Sequence, residues 1–135
     1  MTPHARGATT ADYPAIRTIL AGAFPTDDEA RLWDYLVEND FNLRPEEVRL
    51  VVADDRPAAC TVVLPREIRG RAGWVPGAIL TLVACLPELQ NHGYGGLAVR
   101  DALDYMERQG MAIGLLYGHP GYYPRFGFVP VLPAY

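Results

Sequence analysis

The sequence contains neither lysine nor serine, so all twelve of its Lys and Arg positions are arginine. Without a serine hydroxyl or a lysine amine, the chain cannot act as a serine hydrolase or through a lysine Schiff base. The same absence excludes a P-loop nucleotide site, which requires a Lys followed by Ser or Thr. Cysteine is also scarce, and Cys60 and Cys85 each lie inside an apolar run. We therefore expect two reduced core cysteines in a cytoplasmic protein rather than a disulfide framework.

Positive charge and long apolar runs are in short supply as well. The formal net charge is −4, which disfavours a nucleic-acid partner because such a binding surface is basic and clustered. No run approaches the roughly 20 apolar residues of a membrane span, and the N-terminus lacks the apolar centre of a signal peptide. The 3 histidines are scattered without metal-ligand spacing, so we expect no metal site. At 135 residues, the chain is expected to form one domain over residues 1–135.

The most informative segment is a glycine-rich turn between a predicted strand and a predicted helix. It consists of Gln90, Asn91, His92, Gly93, Tyr94, Gly95 and Gly96. An apolar strand-like run at 79–86 precedes it, and an amphipathic helical pattern at 97–109 follows. In such a turn several backbone N–H groups converge at the positive end of a helix, where they bind anions. The segment therefore predicts a phosphate-bearing cofactor.

A dinucleotide is a weak candidate for that cofactor. The dinucleotide fingerprint G-x-G-x-x-G would need glycine at position 98, where this chain has Ala98, although alanine is sometimes tolerated there. It would also need an acidic residue roughly 20 residues further on. The strand-like run at 111–117 contains no carboxylate.

The remaining pattern is Q/R-x-x-G-x-G/A, matched by Gln90, Gly93 and Gly95, with Gly96 following. It resembles the pyrophosphate loop of the GNAT acetyltransferases. Residues 10–16 (TADYPAI) look like the opening of that family's first helix, and residues 86–90 (LPELQ) look like its lead into the loop. Residues 118–128 (GHPGYYPRFGF) are similar to the G-D-P-x-Y-Y-x-R-F-G-F segment of one bacterial branch of predicted acetyltransferases.

The resemblance implies that acetyl-CoA is the co-substrate and that a primary amine, on a small molecule or a protein, accepts the acetyl group. The pyrophosphate would lie on the amides of the glycine-rich turn, with side-chain contacts from Asn91 and His92. Backbone groups at Val83 and Cys85 would bind the pantetheine arm and polarise the thioester carbonyl. Cys85 itself is expected to be no nucleophile, because apolar surroundings raise a thiol pKa.

The resemblance also implies a general acid, Tyr123, which would protonate the departing thiolate. The general base is left open. His119 stands where the resembling branch has Asp, and an imidazole suits base work near neutral pH. Glu29 or Glu67 acting through a water is an equal alternative, since the central strand offers Thr81 where some relatives carry Glu.

The periodicity predicts an α/β (α+β) fold, which the resemblance makes a mixed, mostly antiparallel sheet flanked by helices. Strands are expected at 5–9, 48–53, 58–64, 78–85 and 111–117 and from Phe128 onward, and helices at 12–23, 27–38 and 97–109. Residues 66–77 are expected to form a loop or a poorly ordered hairpin end, and residues 121–126 a short turn or helix. The strands at 78–85 and 111–117 are expected to be buried.

Relatives usually continue beyond this point into a last strand, which this sequence would lack. The unpaired sheet edge would then be completed by a partner chain, as in a homodimer, or the sequence would be a fragment. Two other functions therefore remain beside an N-acetyltransferase. One is a non-catalytic acyl-CoA-binding module, and the other is an assembly subunit.

Overall fold

The computed structural model describes residues 2–39, 43–118 and 121–130. Five strands and three helices alternate with short 3-10 turns, in the order β1 His4–Gly7, α1 Tyr13–Ala23, α2 Asp28–Asn39, β2 Val48–Ala53, β3 Arg56–Gly70, β4 Gly73–Cys85, α3 Tyr94–Arg108 and β5 Ile113–Leu115. The 3-10 turns are Thr10–Asp12, Pro45–Glu47, Pro87–Leu89 and Tyr123–Phe126. Within the described residues, no helix is both long and apolar enough to cross a lipid bilayer.

The five strands form one sheet in the order β1-β2-β3-β4-β5. Neighbouring strands are antiparallel except β4 and β5, which run parallel with α3 as the connection between them. The expected mixed, mostly antiparallel sheet flanked by helices is therefore confirmed. The parallel pair is short, because only Gly77, Ala78 and Ile79 of β4 pair with β5.

Helices cover both faces of the sheet. On one face α1 and α2 bury Ile16, Leu20 and Trp33 against β2, β3 and the end of β4. On the other face α3 buries Val99 and Ala102 against Val63, Ala78 and Leu80. Burial of such side chains contributes roughly 1.5–3 kcal/mol each. The two helical layers therefore fix the position of β4, which leads into the glycine-rich turn.

The segment 66–77 decides between the two expected alternatives. It forms a hairpin end and no loop, and it extends β3 and β4 as regular strands, with Ile68 opposite Val75 and Gly70 opposite Gly73. The three glycines and one proline of this segment suggested the loop. The pairing of β-branched residues across the two strands outweighs that local preference.

Three further expectations need correction. Helix α3 begins at Tyr94 rather than at residue 97, because the last residues of the glycine turn already adopt helical geometry. Strand β5 is only three residues long and exposes Ile113 and Leu115, since it is the edge of the sheet. Residues 128–130 form no strand, and residues 131–135 lie outside the described part.

Strand β4 also differs from the strand covered on both faces that its apolar run predicted. Its burial alternates, and Ile79 is 36% exposed while Leu80 is 2% exposed. The difference is confined to Ile79 and to half-buried positions, because Leu82 and Ala84 are buried against α1 and α2 and Val83 packs against the cluster under α3.

Candidate active site

The glycine turn connects the end of β4 to the start of α3. Gly93 is the N-cap of α3 and has a left-handed φ of 81°, and Asn91 has a φ of 68°. Leu97 donates the first helical hydrogen bond to the Gly93 carbonyl oxygen at 2.9 Å. Glycine adopts such a φ without strain, and asparagine tolerates it better than most residues do. The main chain of the turn therefore lies at the N-terminus, the positive end, of a helix of 15 residues.

The backbone amides of residues 91–96 are the candidate anion site. In the described part of the chain, none of these amides donates a hydrogen bond to another main-chain or side-chain acceptor. The amide of Gln90, just before them, donates to the Pro87 carbonyl oxygen at 3.4 Å. Unpaired N–H groups at a helix start bind anions, because they act together with the helix dipole. The turn can therefore hold a diphosphate.

The His92 ring folds back on the turn. Its Nδ1 lies 2.9 Å from the Gln90 carbonyl oxygen and 3.1 Å from the Leu89 carbonyl oxygen. Because a carbonyl oxygen only accepts, Nδ1 must carry the proton and donate. The ring also stacks on Tyr94 with centroids 5.5 Å apart. His92 therefore holds the turn in shape, and only its Nε2 is free for a ligand.

A bulge interrupts β4 just before the turn. Thr81 lies opposite Val62 and Ala84 opposite Cys60, so β4 has one extra residue there, and Leu82 has a left-handed φ of 54°. In the described part of the chain, residues 80–85 have no strand neighbour on the β5 side. Bulges next to active sites redirect backbone groups. Val83 and Cys85, both half-buried, therefore lie on a strand segment with one open edge that leads directly into the anion site.

Neither cysteine is a reactive thiol. Burial, with a smaller contribution from Glu88, raises the pKa of Cys85. Complete burial, with a smaller contribution from Cys85, raises the pKa of Cys60 to about 12. A nucleophilic cysteine needs a lowered pKa. The expectation that Cys85 belongs to the strand and not to the chemistry agrees with this direction.

Tyr123 begins the last 3-10 turn and is half-buried. Its ring packs against the apolar cluster under α3, to which Val83 also belongs, and lies edge-on to Tyr122 at 5.0 Å between centroids. Burial first and Tyr122 second raise the pKa of the Tyr123 phenol. The hydroxyl is therefore protonated at neutral pH, as a proton donor must be.

The three candidates for the general base differ in their surroundings. His119 lies outside the described residues. Glu67 is exposed on the β3–β4 hairpin. Glu29 lies in the first turn of α2, and its Oε1 is buried with no hydrogen-bond partner among the residues that the structure describes. A Cβ at Gly22, near the end of α1, would be 3.5 Å from Pro87, so this end of α1 lies next to the 3-10 turn that follows β4.

Sequence reasoning missed a second group of residues around the turn. The Tyr122 hydroxyl lies 3.8 Å from the position of a Cβ on Gly95, and Phe126 lies 3.5 Å from that of Gly96. The guanidinium groups of Arg125 and Arg100 lie over these two rings. Apart from Arg125 and Tyr122, the residues in contact are 26 to 30 positions apart in the sequence, so no local pattern could have indicated that they meet.

Comparison with known proteins gives the class of the domain. The family model for the acetyltransferase (GNAT) domain matches residues 4–131. The chain belongs to the GNAT acetyltransferase family, a family of acyltransferases that use acetyl-CoA as co-substrate.

Sequence identity to an individual relative is low. The chain is 29% identical over 119 residues to the uncharacterized N-acetyltransferase YjhQ of Escherichia coli K12, covering 88% of this chain and 65% of that protein. The match thus spans slightly less than two thirds of the curated relative.

Two solved structures share the fold. A GNAT family acetyltransferase from Brucella melitensis, in complex with acetyl-CoA, is similar with a TM-score of 0.78 and 24% identity, over 98% of this chain and 92% of that chain. The GNAT family N-acetyltransferase YhbS from Escherichia coli, in complex with CoA, is similar with a TM-score of 0.82 and 24% identity. The match covers 94% of this chain and 68% of that chain.

Proposed function

We propose that this protein transfers the acetyl group of acetyl-CoA to a primary amine by direct attack in a ternary complex. The unpaired amides of residues 91–96 at the start of α3 are the observation that carries the proposal. They offer a diphosphate several N–H donors at the positive end of a helix dipole. The complexes of the Brucella and Escherichia coli neighbours with acetyl-CoA and CoA support the same ligand.

The reaction joins the amine nitrogen to the thioester carbonyl carbon and breaks the bond from that carbon to sulfur. Main-chain N–H groups at Val83 and Cys85, on the open segment of β4, would stabilise the oxyanion that forms. The Tyr123 hydroxyl then gives its proton to the departing thiolate. The attacking amine loses its proton to a base, so that the products are the amide and free CoA.

We propose His119 as the base, with Glu29 as the alternative. Glu29 is supported by its buried Oε1 atom, which lacks a hydrogen-bond partner and could accept a proton directly or through a water. Glu67 is less suited, because its position on the β3–β4 hairpin leaves it exposed. The acetylation rate of an identified acceptor, measured for His119→Asn and for Glu29→Gln, distinguishes the two candidates. The rate should fall in the variant that removes the base.

The role of Tyr123 is tested with labelled acetyl-CoA and a panel of amines. Tyr123→Phe is expected to lower kcat by roughly 10²- to 10⁴-fold and to leave the Kd for CoA unchanged, since only the proton donor is removed. Tyr105→Phe is the matched control, because Tyr105 lies in α3 and its buried hydroxyl has no hydrogen-bond partner in the described part of the chain. An unchanged kcat in Tyr123→Phe would remove Tyr123 from the mechanism.

The same experiment distinguishes the other functions. Tight CoA binding without turnover on any amine would indicate a non-catalytic acyl-CoA-binding module. Failure to bind CoA at millimolar concentration, together with stable oligomers, would indicate an assembly subunit.

We also propose that two copies associate through the edge strand β5. Ile113 and Leu115 are 39% and 45% exposed on that edge, and within the described residues β5 pairs only with β4. An exposed apolar edge is a template for pairing with another chain. Sedimentation velocity is expected to show a dimer that Leu115→Lys converts to monomers, and a monomeric wild-type protein would contradict this.

A further inference from the structure

Two arginines beside the glycine turn lack a counter-charge. Seven arginines in the described part of the chain form ion pairs, such as Arg49 with Asp101 and Arg108 with Asp104, whereas Arg69 and Arg71 at the end of the β3–β4 hairpin form none there. Arg100 and Arg125 pair with no carboxylate among the described residues. In a chain of formal net charge −4, this is a local excess of positive charge.

Aromatic rings hold both guanidinium groups close to the turn. The Arg100 guanidinium lies 5.1 Å from the centre of the Phe126 ring, and its Nη1 is 3.4 Å from the Cβ position of Gly96. The Arg125 guanidinium lies 4.5 Å from the centre of the Tyr122 ring. Its Nε donates to the Tyr122 carbonyl oxygen at 2.9 Å.

The Tyr122 ring connects Arg125 to the turn, since its hydroxyl lies 3.8 Å from the Cβ position of Gly95. Stacking on a ring restricts a flexible side chain, so less entropy is lost when the guanidinium binds a ligand. The two arginines are therefore partly fixed by rings that lie next to Gly95 and Gly96, where their guanidinium groups can bind an anion.

A diphosphate on the turn finds hydrogen-bond donors there without these two arginines. The unpaired amides of residues 91–96 already provide donors for diphosphate oxygens. Coenzyme A carries one more phosphate, on the 3′ oxygen of its ribose, and a phosphate monoester has a charge of about −1.5 to −2 at neutral pH. The planar fork of arginine matches phosphate oxygens, which makes it the side chain suited to this group.

We propose that Arg100 and Arg125 bind the 3′-phosphate of coenzyme A, and that the protein thereby selects coenzyme A over thioester donors that lack this phosphate. The inference rests on the proposed function, because it assumes that a coenzyme A diphosphate lies on the turn. It adds a second anion subsite, formed by side chains rather than by main-chain amides.

The test compares the Kd values of coenzyme A and 3′-dephospho-coenzyme A by isothermal titration calorimetry. The wild-type protein is expected to bind coenzyme A about tenfold or more tightly than the dephospho form. Arg100→Gln and Arg125→Gln should each reduce that preference several-fold and leave the Kd of the dephospho form unchanged. Because the two arginines lie on separate elements, one of the variants suffices if the other fails to fold.

Arg108→Gln is the matched control, on the same helix but two turns beyond Arg100 and paired with Asp104. It should keep the full preference for coenzyme A. Equal binding of both ligands by the wild-type protein would overturn the proposal, and so would variants that weaken both ligands equally, since the arginines would then act on the diphosphate. A wild-type protein that binds neither ligand would instead overturn the proposed function.

Discussion

Gly93 is the residue on which the shape of the anion site most depends. Its φ of 81° lies in the left-handed region, and a Cβ there would meet no other atom within 4 Å. Gly93→Ala is therefore expected to strain the backbone without a clash, at a cost of about 1–2 kcal/mol in the free energy of unfolding. Relief of that strain would rotate the neighbouring amides, so we expect the affinity for CoA to fall about tenfold.

Gly110 provides the control for this prediction. It follows the end of α3 and has a φ of 75°, and a Cβ at this position would likewise have open space around it. Gly110→Ala should cost a similar free energy of unfolding and leave CoA affinity unchanged, as measured by chemical denaturation and calorimetry. Equal affinity losses in the two variants would show that the loss reflects general instability and not the turn.

Single residues were predictable where the chemistry is local in the sequence. The spacing of Gln90, Gly93 and Gly95 predicted an anion site, which stays a prediction, and the amides of residues 91–96 are unpaired within the described residues. The fold-back of His92 onto two carbonyl oxygens was not predictable, because it depends on the three-dimensional path of the turn. The position of Arg100 and Arg125 beside the turn was not predictable either, because it also depends on the three-dimensional path of the chain.

At the scale of elements, one ion pair ties α3 to the sheet. The Arg49 Nε on β2 lies 2.6 Å from Asp101 Oδ2 on α3, and the two side chains are 9% and 13% exposed. Asp101→Asn leaves the Arg49 charge without its partner in a buried position, so we expect a loss of about 3 kcal/mol in the free energy of unfolding.

Asp104→Asn, three residues further along α3, makes the same substitution at an exposed pair with Arg108. It should change the free energy of unfolding by less than about 0.5 kcal/mol. Urea denaturation of both variants measures the contrast. Similar losses in the two would mean that the Arg49 pair contributes little.

The entry to α1 is pH-dependent. Asp12 Oδ2 accepts from the Thr9 amide at 2.8 Å and from Arg6 Nη1 at 2.8 Å. The hydrogen bond from Arg6 is the chief reason that the pKa of Asp12 falls to about 2. This stabilisation is present above the unfolded pKa near 4 and is lost as the pH falls towards 2.

We therefore expect Asp12→Asn to be less stable than the wild-type protein at pH 7, by about 1 kcal/mol as for a lost helix cap. The difference should shrink as the pH falls from about 4 to 2, since the wild-type carboxylate is then protonated as well. Urea midpoints at several pH values measure it. A difference that stays constant over this range would contradict the assignment.

Elements with a strong periodic pattern were predicted well, and those shaped by tertiary pairing were not. Strand β2 was predicted with its observed bounds, and α1 and α2 to within one residue. Beyond residue 65 the β3–β4 hairpin was only one of two predicted alternatives, because its glycines and Pro76 favour a loop locally while the cross-strand pairs form only in the folded sheet. The length and exposure of β5 depend on its position at the sheet edge, which periodicity does not encode.

At the scale of the whole molecule, the elements that form the candidate site come together at one end of the sheet. The sheet opens beyond the short β4–β5 pairing, and the bulge in β4, the glycine turn and the start of α3 follow one another at that end. Tyr123 belongs to the apolar cluster that α3 and β4 share. The sequence motifs predicted this order along the chain, and the sheet order and crossover bring its members together.

The central claim is that the main-chain amides of residues 91–96 hold the diphosphate of the coenzyme. Titration of ¹⁵N-labelled protein with CoA, followed by amide NMR shifts, tests it most directly. The account predicts saturable binding, with the largest amide shifts at residues 91–96. No binding at millimolar CoA, or saturable binding with unshifted amides in this turn, would contradict it.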